Sequence, residues 1–295
     1  MADEYSGTLV PLRPSGSLPP LYCVHPVSGS AYAYVDLARE LGSEQPVYGF
    51  EAPGFDGGAP LAGSIEELAA THVKSLIASN LKGPYCLLGW SLGGTVAFEV
   101  ARKLILLGEE VPVLVIVDAE VPNPEPLPSE KVLLHKFLED LIGASRGVSS
   151  DVDSVLAGLG EEPSPEMVFS AVEQADLFPD EIDAEFLLDR YTVFRAHVVA
   201  LFDHRVEGIG YPGLITLIRA SESVAEQGCP GTAADPRTPG ETLCWQDWGK
   251  AVAEHIVMGN HHSIWVGDAL VTLTDIVRRT LAQAHSAHAC DGGAV

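Results

Sequence analysis

Residues 89–94 have the sequence Gly-Trp-Ser-Leu-Gly-Gly, and this stretch decides the fold. An apolar run, residues 84–88, precedes it, and an apolar segment with helical periodicity, residues 92–107, follows. The predicted order is therefore strand, tight turn and helix, with a serine in the turn. In such a G-x-S-x-G turn, glycines leave room for a strained backbone, and the helix start supplies a backbone N–H and a positive dipole end. This context predicts that Ser91 is a nucleophile for acyl transfer.

The segments on either side of this turn alternate between strands and helices. Apolar strands are predicted at residues 21–24, 46–50, 84–88 and 111–117, and a helix connects each pair. Strands that are apolar throughout are typical of a parallel sheet that is buried on both faces. The sequence therefore predicts an α/β fold with a mostly parallel central sheet flanked by helices.

The chain is predicted to hold one domain with two short flanking segments. Residues 1–20 end in two prolines and are predicted to be a linker, which suggests a domain cut from a longer polypeptide. Residues 21–284 are predicted to form the domain. Residues 285–295, a small-residue tail with glycine near its end, are predicted to be flexible.

A helical insertion is predicted at about residues 121–211. Alternating prolines open it, and helix-like stretches follow at residues 129–142, 165–175 and 184–202 without a convincing strand. Strands resume at residues 213–218 and 254–257. A helical insertion between two strands of one sheet favours a lid over the site. A purely structural helical subdomain is the alternative.

Composition excludes several classes of partner. The chain has 17 lysines and arginines against 41 aspartates and glutamates, so its formal net charge is −24. Nucleic acids and anionic membranes require a basic surface, and neither is expected as a partner. Five cysteines without metal-ligand spacing fit a reduced cytoplasmic protein. Cys229 and Cys244 lie in one loop and could pair if oxidised, but free thiols are expected. No metal site, signal peptide or membrane-spanning segment is predicted.

A serine nucleophile needs a base, and ten histidines compete for this role. His261 and His262 directly follow the last predicted strand, where a loop meets the final helix, and position alone does not separate them. His135, His197 and His204 lie in the insertion and are expected to be solvated or packed.

The acid and the oxyanion donors are predicted from strand ends. Asp118 ends the strand after the serine-bearing helix, 27 residues past Ser91, and is favoured over Glu222 at the end of the next strand. The oxyanion of an acyl transfer needs two backbone donors. The N–H groups of Leu92 and Val27 are predicted to supply them.

The surroundings of the serine are predicted to form the substrate pocket. His25, Pro26, Trp90 and His262 are the candidate pocket residues. His25 is expected to order the loop after the first predicted strand rather than to act as a second base.

With these features the sequence resembles the thioesterase domains that end non-ribosomal peptide synthetases and related polyketide synthases. The resemblance runs from about Leu21 to Leu281. It is carried by the Cys-Val-His-Pro-x-x-Gly-Ser segment at residues 23–30, the turn at residues 89–94, the acid 27 residues after the serine, and the closing Gly-x-His-x-Ser-Ile segment at residues 259–264.

The resemblance implies an α/β-hydrolase fold with a mobile helical lid. The family pattern Gly-(Asp/Asn)-His-Phe-Ser implies that His261 is the base, and this chain departs from it by having His262 in place of the aromatic residue. It also implies that Ser91 receives a peptidyl or polyketidyl chain from the phosphopantetheine arm of an upstream carrier domain. Water or an internal amine or hydroxyl would then release the chain, by hydrolysis or macrocyclisation. No bound cofactor is expected.

Three alternatives are less well supported by the sequence. A stand-alone editing thioesterase places its acid after the later strand, where this chain offers only Glu222. A general serine esterase or lipase is disfavoured because the loop after the first predicted strand is His-Pro-Val-Ser-Gly rather than His-Gly-Gly-Gly. A non-catalytic binding module with this fold would normally lack one of the three candidate catalytic residues.

Overall fold

A seven-stranded sheet forms the centre of the structure. The computed structural model describes residues 7–57, 60–144, 151–222 and 243–291. The spatial order of the strands is β1-β3-β2-β4-β5-β6-β7; β1 pairs antiparallel with β3, and the other neighbouring strands pair in parallel. The strands are β1 (Leu9–Arg13), β2 (Leu21–Val24), β3 (Val47–Phe50), β4 (Cys86–Trp90), β5 (Val113–Val117), β6 (Tyr211–Ala220) and β7 (Gly249–Val257).

Helices cover both faces of this sheet. Buried side chains of α2 and α3 pack in one apolar cluster on one face, and those of α1 and α8 pack in a second cluster on the other. The helices are α1 (Val35–Leu41), which a short 3-10 helix at Ala31–Tyr34 precedes, α2 (Ile65–Ala78), α3 (Leu92–Leu106), α4 (Glu130–Ala144), α5 (Asp151–Ala157), α6 (Pro165–Gln174), α7 (Ala184–Asp203) and α8 (Gly267–Asp291).

The strand next to the serine turn shows why the sheet is central. In β5, Val113, Val115 and Val117 belong to the α1/α8 cluster, whereas Leu114 and Ile116 belong to the α2/α3 cluster. Successive strand residues point to opposite faces, so an apolar run fills both clusters at once. Burial of each such side chain contributes about 1.5–3 kcal/mol. The carboxyl ends of β4 and β5 are thereby fixed side by side.

The predicted linker is wrong at Leu9–Arg13, because this stretch is the edge strand β1. Its backbone pairs antiparallel with β3, from Leu9 opposite Phe50 to Arg13 opposite Val47. Leu9 alone within the strand is fully buried, and Pro11 is tolerated because the strand lies at an edge. Leu9 belongs to the α2/α3 cluster, and Leu12 packs against the α1/α8 cluster. Pro11 interrupts this short apolar run, which is why the sequence shows little sign of a strand.

Two further expectations differ from the structure. Helix α8 continues to Asp291, into the segment predicted to be a flexible tail; residues 292–295 lie outside the described part of the chain. Cys244 is disulfide-bonded rather than free, whereas Cys229 lies outside the described residues. Cys23 and Cys86 are buried free thiols, and burial raises the pKa of both.

Helices α4–α7 lie between β5 and β6 and form the helical segment of the structure. They bury an apolar cluster of their own, in which the rings of Phe137, Phe169, Tyr191 and Phe194 meet edge to face or stack. The sequence predicts three of these helices and misses α5, which has seven residues.

Three buried histidines connect the sheet to this helical segment. The ring of His25, directly after β2, stacks on His197 of α7 at a centroid distance of 5.0 Å and meets the edge of His72 of α2 at 5.3 Å. His72 Nδ1 lies 2.9 Å from the Thr8 hydroxyl. Burial lowers the pKa of all three imidazoles, that of His72 to about 3, so the native state holds them neutral.

Acid should therefore destabilise the fold through these histidines. Unfolding exposes them, and each takes up a proton below about pH 6.5, so their contribution to stability is complete above that pH and is lost as the pH falls towards 3. The His72→Asn variant keeps a donor for Thr8 but removes one of these imidazoles. For each unit by which the pH falls, we expect its unfolding free energy to decrease by up to about 1.4 kcal/mol less than that of the wild type. Urea unfolding at pH 7, 6 and 5 measures both slopes. Equal slopes would contradict this account.

Candidate active site

The Ser91 backbone is strained at the junction of β4 and α3. Its φ is 56° and its ψ is −131°, in a region that residues other than glycine rarely occupy. The Ser91 N–H donates to the Val117 carbonyl at 3.0 Å, and the Gly94 N–H donates to the Ser91 carbonyl at 2.8 Å. Such strain costs on the order of 1–3 kcal/mol and persists because the surrounding structure holds it.

The glycines of this turn are required by close packing. A Cβ on Gly89 would lie 1.9 Å from the Gly93 carbonyl oxygen. A Cβ on Gly93 would lie 2.4 Å from the Val24 carbonyl oxygen, and one on Gly94 would lie 2.9 Å from the Ala119 Cβ. The pattern at residues 89–94 is therefore a packing requirement that presses the start of α3 against the ends of β2 and β5.

Asp118 and His261 are joined by a short hydrogen bond. Asp118 directly follows β5 with φ of 46°, and its side chain is inaccessible to solvent. One carboxylate oxygen, Oδ1, accepts from the Ala220 N–H at 3.0 Å, and Oδ2 lies 2.6 Å from His261 Nδ1. A carboxylate at this position holds the proton of His261 on Nδ1, which leaves Nε2 as the basic nitrogen.

The structure distinguishes between His261 and His262, which position in the sequence does not. His262 Nε2 lies 3.8 Å from the Asp140 carboxylate, which is beyond hydrogen-bond length. Burial and the neighbouring His261 lower the pKa of His262 to about 4. The rival acid, Glu222, is exposed at the end of β6, where its N–H donates to the Gly259 carbonyl. The geometry therefore brings Asp118 together with His261.

A cavity of about 390 Å³ brings these side chains together with Ser91. Ser91, Asp118 and His261 all line it. Its other walls are the loop after β5, the first turn of α3, and Leu201 and Phe202 near the end of α7. A serine, a carboxylate and an imidazole thus face one space of a size that suits a small-molecule chain.

The predicted oxyanion donors lie where two elements touch. The loop after β2 packs against the start of α3 so closely that a Cβ on Gly93 would lie 2.6 Å from the His25 carbonyl oxygen. Leu92 is buried and lines the cavity, and Val27 is partly buried. The assignment of their N–H groups as oxyanion donors stays a prediction.

The predicted pocket residues lie outside the described lining of this cavity. His25 and Pro26 are buried, so neither offers a surface to a substrate. Trp90 points to the α1/α8 face and packs beneath both histidines, with its ring 5.0 Å from that of His261 and 5.6 Å from that of His262. Trp90 and His262 thus contact the His261 ring, whereas His25 and Pro26 lie in the loop after β2. The assignment of these four residues to the substrate pocket stays a prediction.

Helix α4 reaches this site from the helical segment, a contact that sequence analysis missed. A Cβ on Gly143 would lie 2.7 Å from the His262 ring. Asp140, one turn earlier, has a pKa raised to about 6 by burial, an effect that nearby His261 opposes. Spacing along the chain gives no sign of this contact, because only the tertiary fold brings α4 to His262.

Comparisons with known proteins agree with this geometry. Residues 19–159 match the family model of the thioesterase domain. The matched region contains Ser91 and Asp118, and it spans just under half of the chain. The predicted resemblance to synthetase thioesterase domains and the predicted α/β-hydrolase fold are confirmed.

Relatives and solved structures agree with this match. Malpibaldin synthetase of Mortierella alpina is 46% identical over 117 residues, which are 40% of this chain and 2% of that protein. The dimodular nonribosomal peptide synthase of Bacillus subtilis (strain 168) is 44% identical over 115 residues, 39% of this chain and 5% of that protein. The thioesterase domain of NocB, from the nocardicin cluster, shares the fold with a TM-score of 0.61 at 20% identity, covering 93% of this chain and 99% of that one.

Metal-binding clusters and membrane-spanning helices are both absent from the described residues. Within the described ranges, no group of three or more histidine, cysteine, aspartate or glutamate side chains could hold a metal ion. In the same part of the chain, no helix has both the length and the apolar character to cross a membrane. The cytoplasmic location stays a prediction.

We expect His261→Ala to slow the reaction of Ser91 with a fluorophosphonate probe by about 10²-fold or more, because a positioned base contributes that much to proton transfer. His262→Ala is the matched control and should react within a few-fold of the wild type. Intact-protein mass spectrometry over time measures the labelling rate. The opposite order of the two variants would overturn the assignment of His261.

Proposed function

We propose that this chain is a serine thioesterase that releases a peptidyl or polyketidyl chain from the phosphopantetheine arm of a carrier domain. The observation that carries the proposal is the 2.6 Å contact between Asp118 Oδ2 and His261 Nδ1 in the cavity that Ser91 lines, in a chain that matches the thioesterase domain. The seven-stranded sheet and the comparisons both support a hydrolase-type fold.

In the first half-reaction, Ser91 Oγ attacks the thioester carbonyl while His261 Nε2 accepts the hydroxyl proton. Asp118 stays ionised and stabilises the imidazolium that forms. The N–H groups of Val27 and Leu92 bind the developing oxyanion. The C–S bond then breaks, His261 returns the proton to the departing thiolate, and the chain remains as an ester on Ser91.

The second half-reaction consumes this ester. Water, or an amine or hydroxyl at the other end of the acyl chain, gives its proton to His261 and attacks the ester carbonyl. The C–O bond to Ser91 breaks and the serine recovers its proton. Hydrolysis gives a free acid, whereas internal attack gives a macrocycle, and both follow from the same three side chains.

The substrate would arrive on a carrier domain. The matched relatives include synthetases, of which this chain spans a few per cent in length. A carrier attachment motif of the Gly-Gly-(His/Asp)-Ser type does not occur in the printed sequence. The phosphopantetheine arm and its acyl chain would therefore come from an upstream domain or from another protein. In this proposal phosphopantetheine is part of the substrate and is not a cofactor bound by this chain.

The helical segment, about residues 121–211, would be the lid of the domain that we assign to residues 21–284. Leu201 and Phe202 of α7 line the cavity, and α4 packs on His262. A lid that excludes water favours internal attack on the ester. The position of the acid favours this release reaction over an editing thioesterase, since Glu222 is exposed and Asp118 contacts the base.

We expect Ser91→Ala to abolish thiol release from acyl-pantetheine thioesters, because no other group in the mechanism can form the ester. Ser79→Ala, at the C-terminal end of α2, is the control and should keep the wild-type rate. Thioesters with and without an internal amine, followed by mass spectrometry of the products, separate hydrolysis from cyclisation. Persistent turnover by the Ser91→Ala variant would refute the proposal.

A further inference from the structure

His25 and His197 are buried polar side chains that the mechanism leaves without a role. Both are about 1% exposed or less, and their rings stack at 5.0 Å with an interplanar angle of 20°. They belong to different elements, the loop after β2 and the middle of α7. Each ring directs its Nδ1 to a backbone carbonyl of the loop that carries Val27.

His25 fixes the peptide group that carries the Val27 N–H. Its Nδ1–H donates to the Pro26 carbonyl at 2.8 Å, and the Gly29 N–H donates to the same oxygen at 3.0 Å. The Pro26 carbonyl and the Val27 N–H belong to one planar peptide unit. Two hydrogen bonds on its oxygen therefore fix the direction of its N–H, and they polarise that N–H towards stronger donation.

His197 holds the next peptide group from the helical segment. Its Nδ1–H donates to the Val27 carbonyl at 2.8 Å. Val193 lies one turn earlier on the same face of α7, and a Cβ on Gly29 would lie 2.9 Å from its Cγ1. Val27 packs against both the α2/α3 cluster and the cluster of the helical segment. The loop is thus clamped between the sheet and α7.

We propose that His25 and His197 are positioning residues for the Val27 oxyanion donor, and that His197 makes the rate of acyl transfer depend on the docking of α7. This inference rests on the proposed function. Burial lowers the pKa of both histidines, which keeps each ring neutral with a single proton available for Nδ1.

Two substitutions at each histidine distinguish the effect of its hydrogen bond from the effect of its ring packing. His197→Phe keeps a ring against His25 but cannot donate, whereas His197→Asn keeps an N–H donor near the position of Nδ1. We expect His197→Phe to lower kcat about 10- to 100-fold with little change in KM, since loss of a whole oxyanion donor costs about 10²- to 10³-fold. His197→Asn should recover most of that loss.

His204→Asn is the matched control, because His204 is another buried histidine at the end of α7 and contacts Glu66. It should retain the wild-type kcat. His25→Phe and His25→Asn make the same comparison for the hydrogen bond to the Pro26 carbonyl. They test the inference even if a His197 variant does not fold. Equal kcat for the Phe and Asn variants at both positions, or a change in KM alone, would overturn the inference.

A binding measurement distinguishes oxyanion positioning from a general loss of structure. A boronic acid that forms a tetrahedral adduct with Ser91 should bind about 10- to 100-fold more weakly to His197→Phe. A ketone analogue that replaces the thioester sulfur by CH₂, titrated into the Ser91→Ala background, should bind equally with and without His197→Phe. Equal weakening of both ligands would overturn the inference.

Ser91→Ala, assayed in parallel, keeps the two proposals distinguishable. Turnover by Ser91→Ala refutes the proposed function and this inference with it. An inert Ser91→Ala together with a wild-type rate for His197→Phe refutes the positioning role alone.

Discussion

The buried carboxylate of Asp118 is the constraint on which the candidate site depends. An ionised carboxylate without access to water is costly unless hydrogen bonds compensate for the lost hydration. Here one oxygen accepts from Ala220 at the end of β6 and the other contacts His261 after β7, while the Asp118 N–H donates to the Ile218 carbonyl at 2.7 Å. The requirement to satisfy this carboxylate fixes the ends of β5 and β6 and the loop after β7 relative to one another.

The serine turn depends on the same sheet edge. The Ser91 N–H donates to the carbonyl of Val117, the residue before Asp118. Ser91 and Asp118 both have positive φ, and this bond ties them together. Neither conformation is favourable in an isolated peptide. Both conformations persist because Ser91 and Asp118 directly follow the fully buried strands β4 and β5, whose positions are fixed by packing. Local strain thus accompanies the placement of the proposed nucleophile and the proposed acid in one cavity, as is common at functional sites.

Sequence reasoning succeeds where the signal is local. The glycines around Ser91, and Asp118 at a strand end, stand in their own sequence context, so their elements and common sheet edge could be predicted. The choice of His261 over His262 rested on a resemblance, because both follow β7. The contact of Gly143 with His262 and the stack of His25 on His197 join residues more than a hundred positions apart. Only packing brings such residues together. Strand β1 was missed for a different reason, since Pro11 interrupts its short apolar run.

In the proposed reaction, the acyl chain passes through an ester on Ser91. The most direct test mixes the wild-type protein with a carrier domain loaded with an acyl thioester, quenches within one turnover, and maps proteolytic peptides by mass spectrometry. We expect the peptide containing Ser91 to gain the mass of the acyl chain and to lose it as product is formed. Product formation without acylated Ser91 at any quench time, or acylation of a different residue at a competent rate, would contradict it.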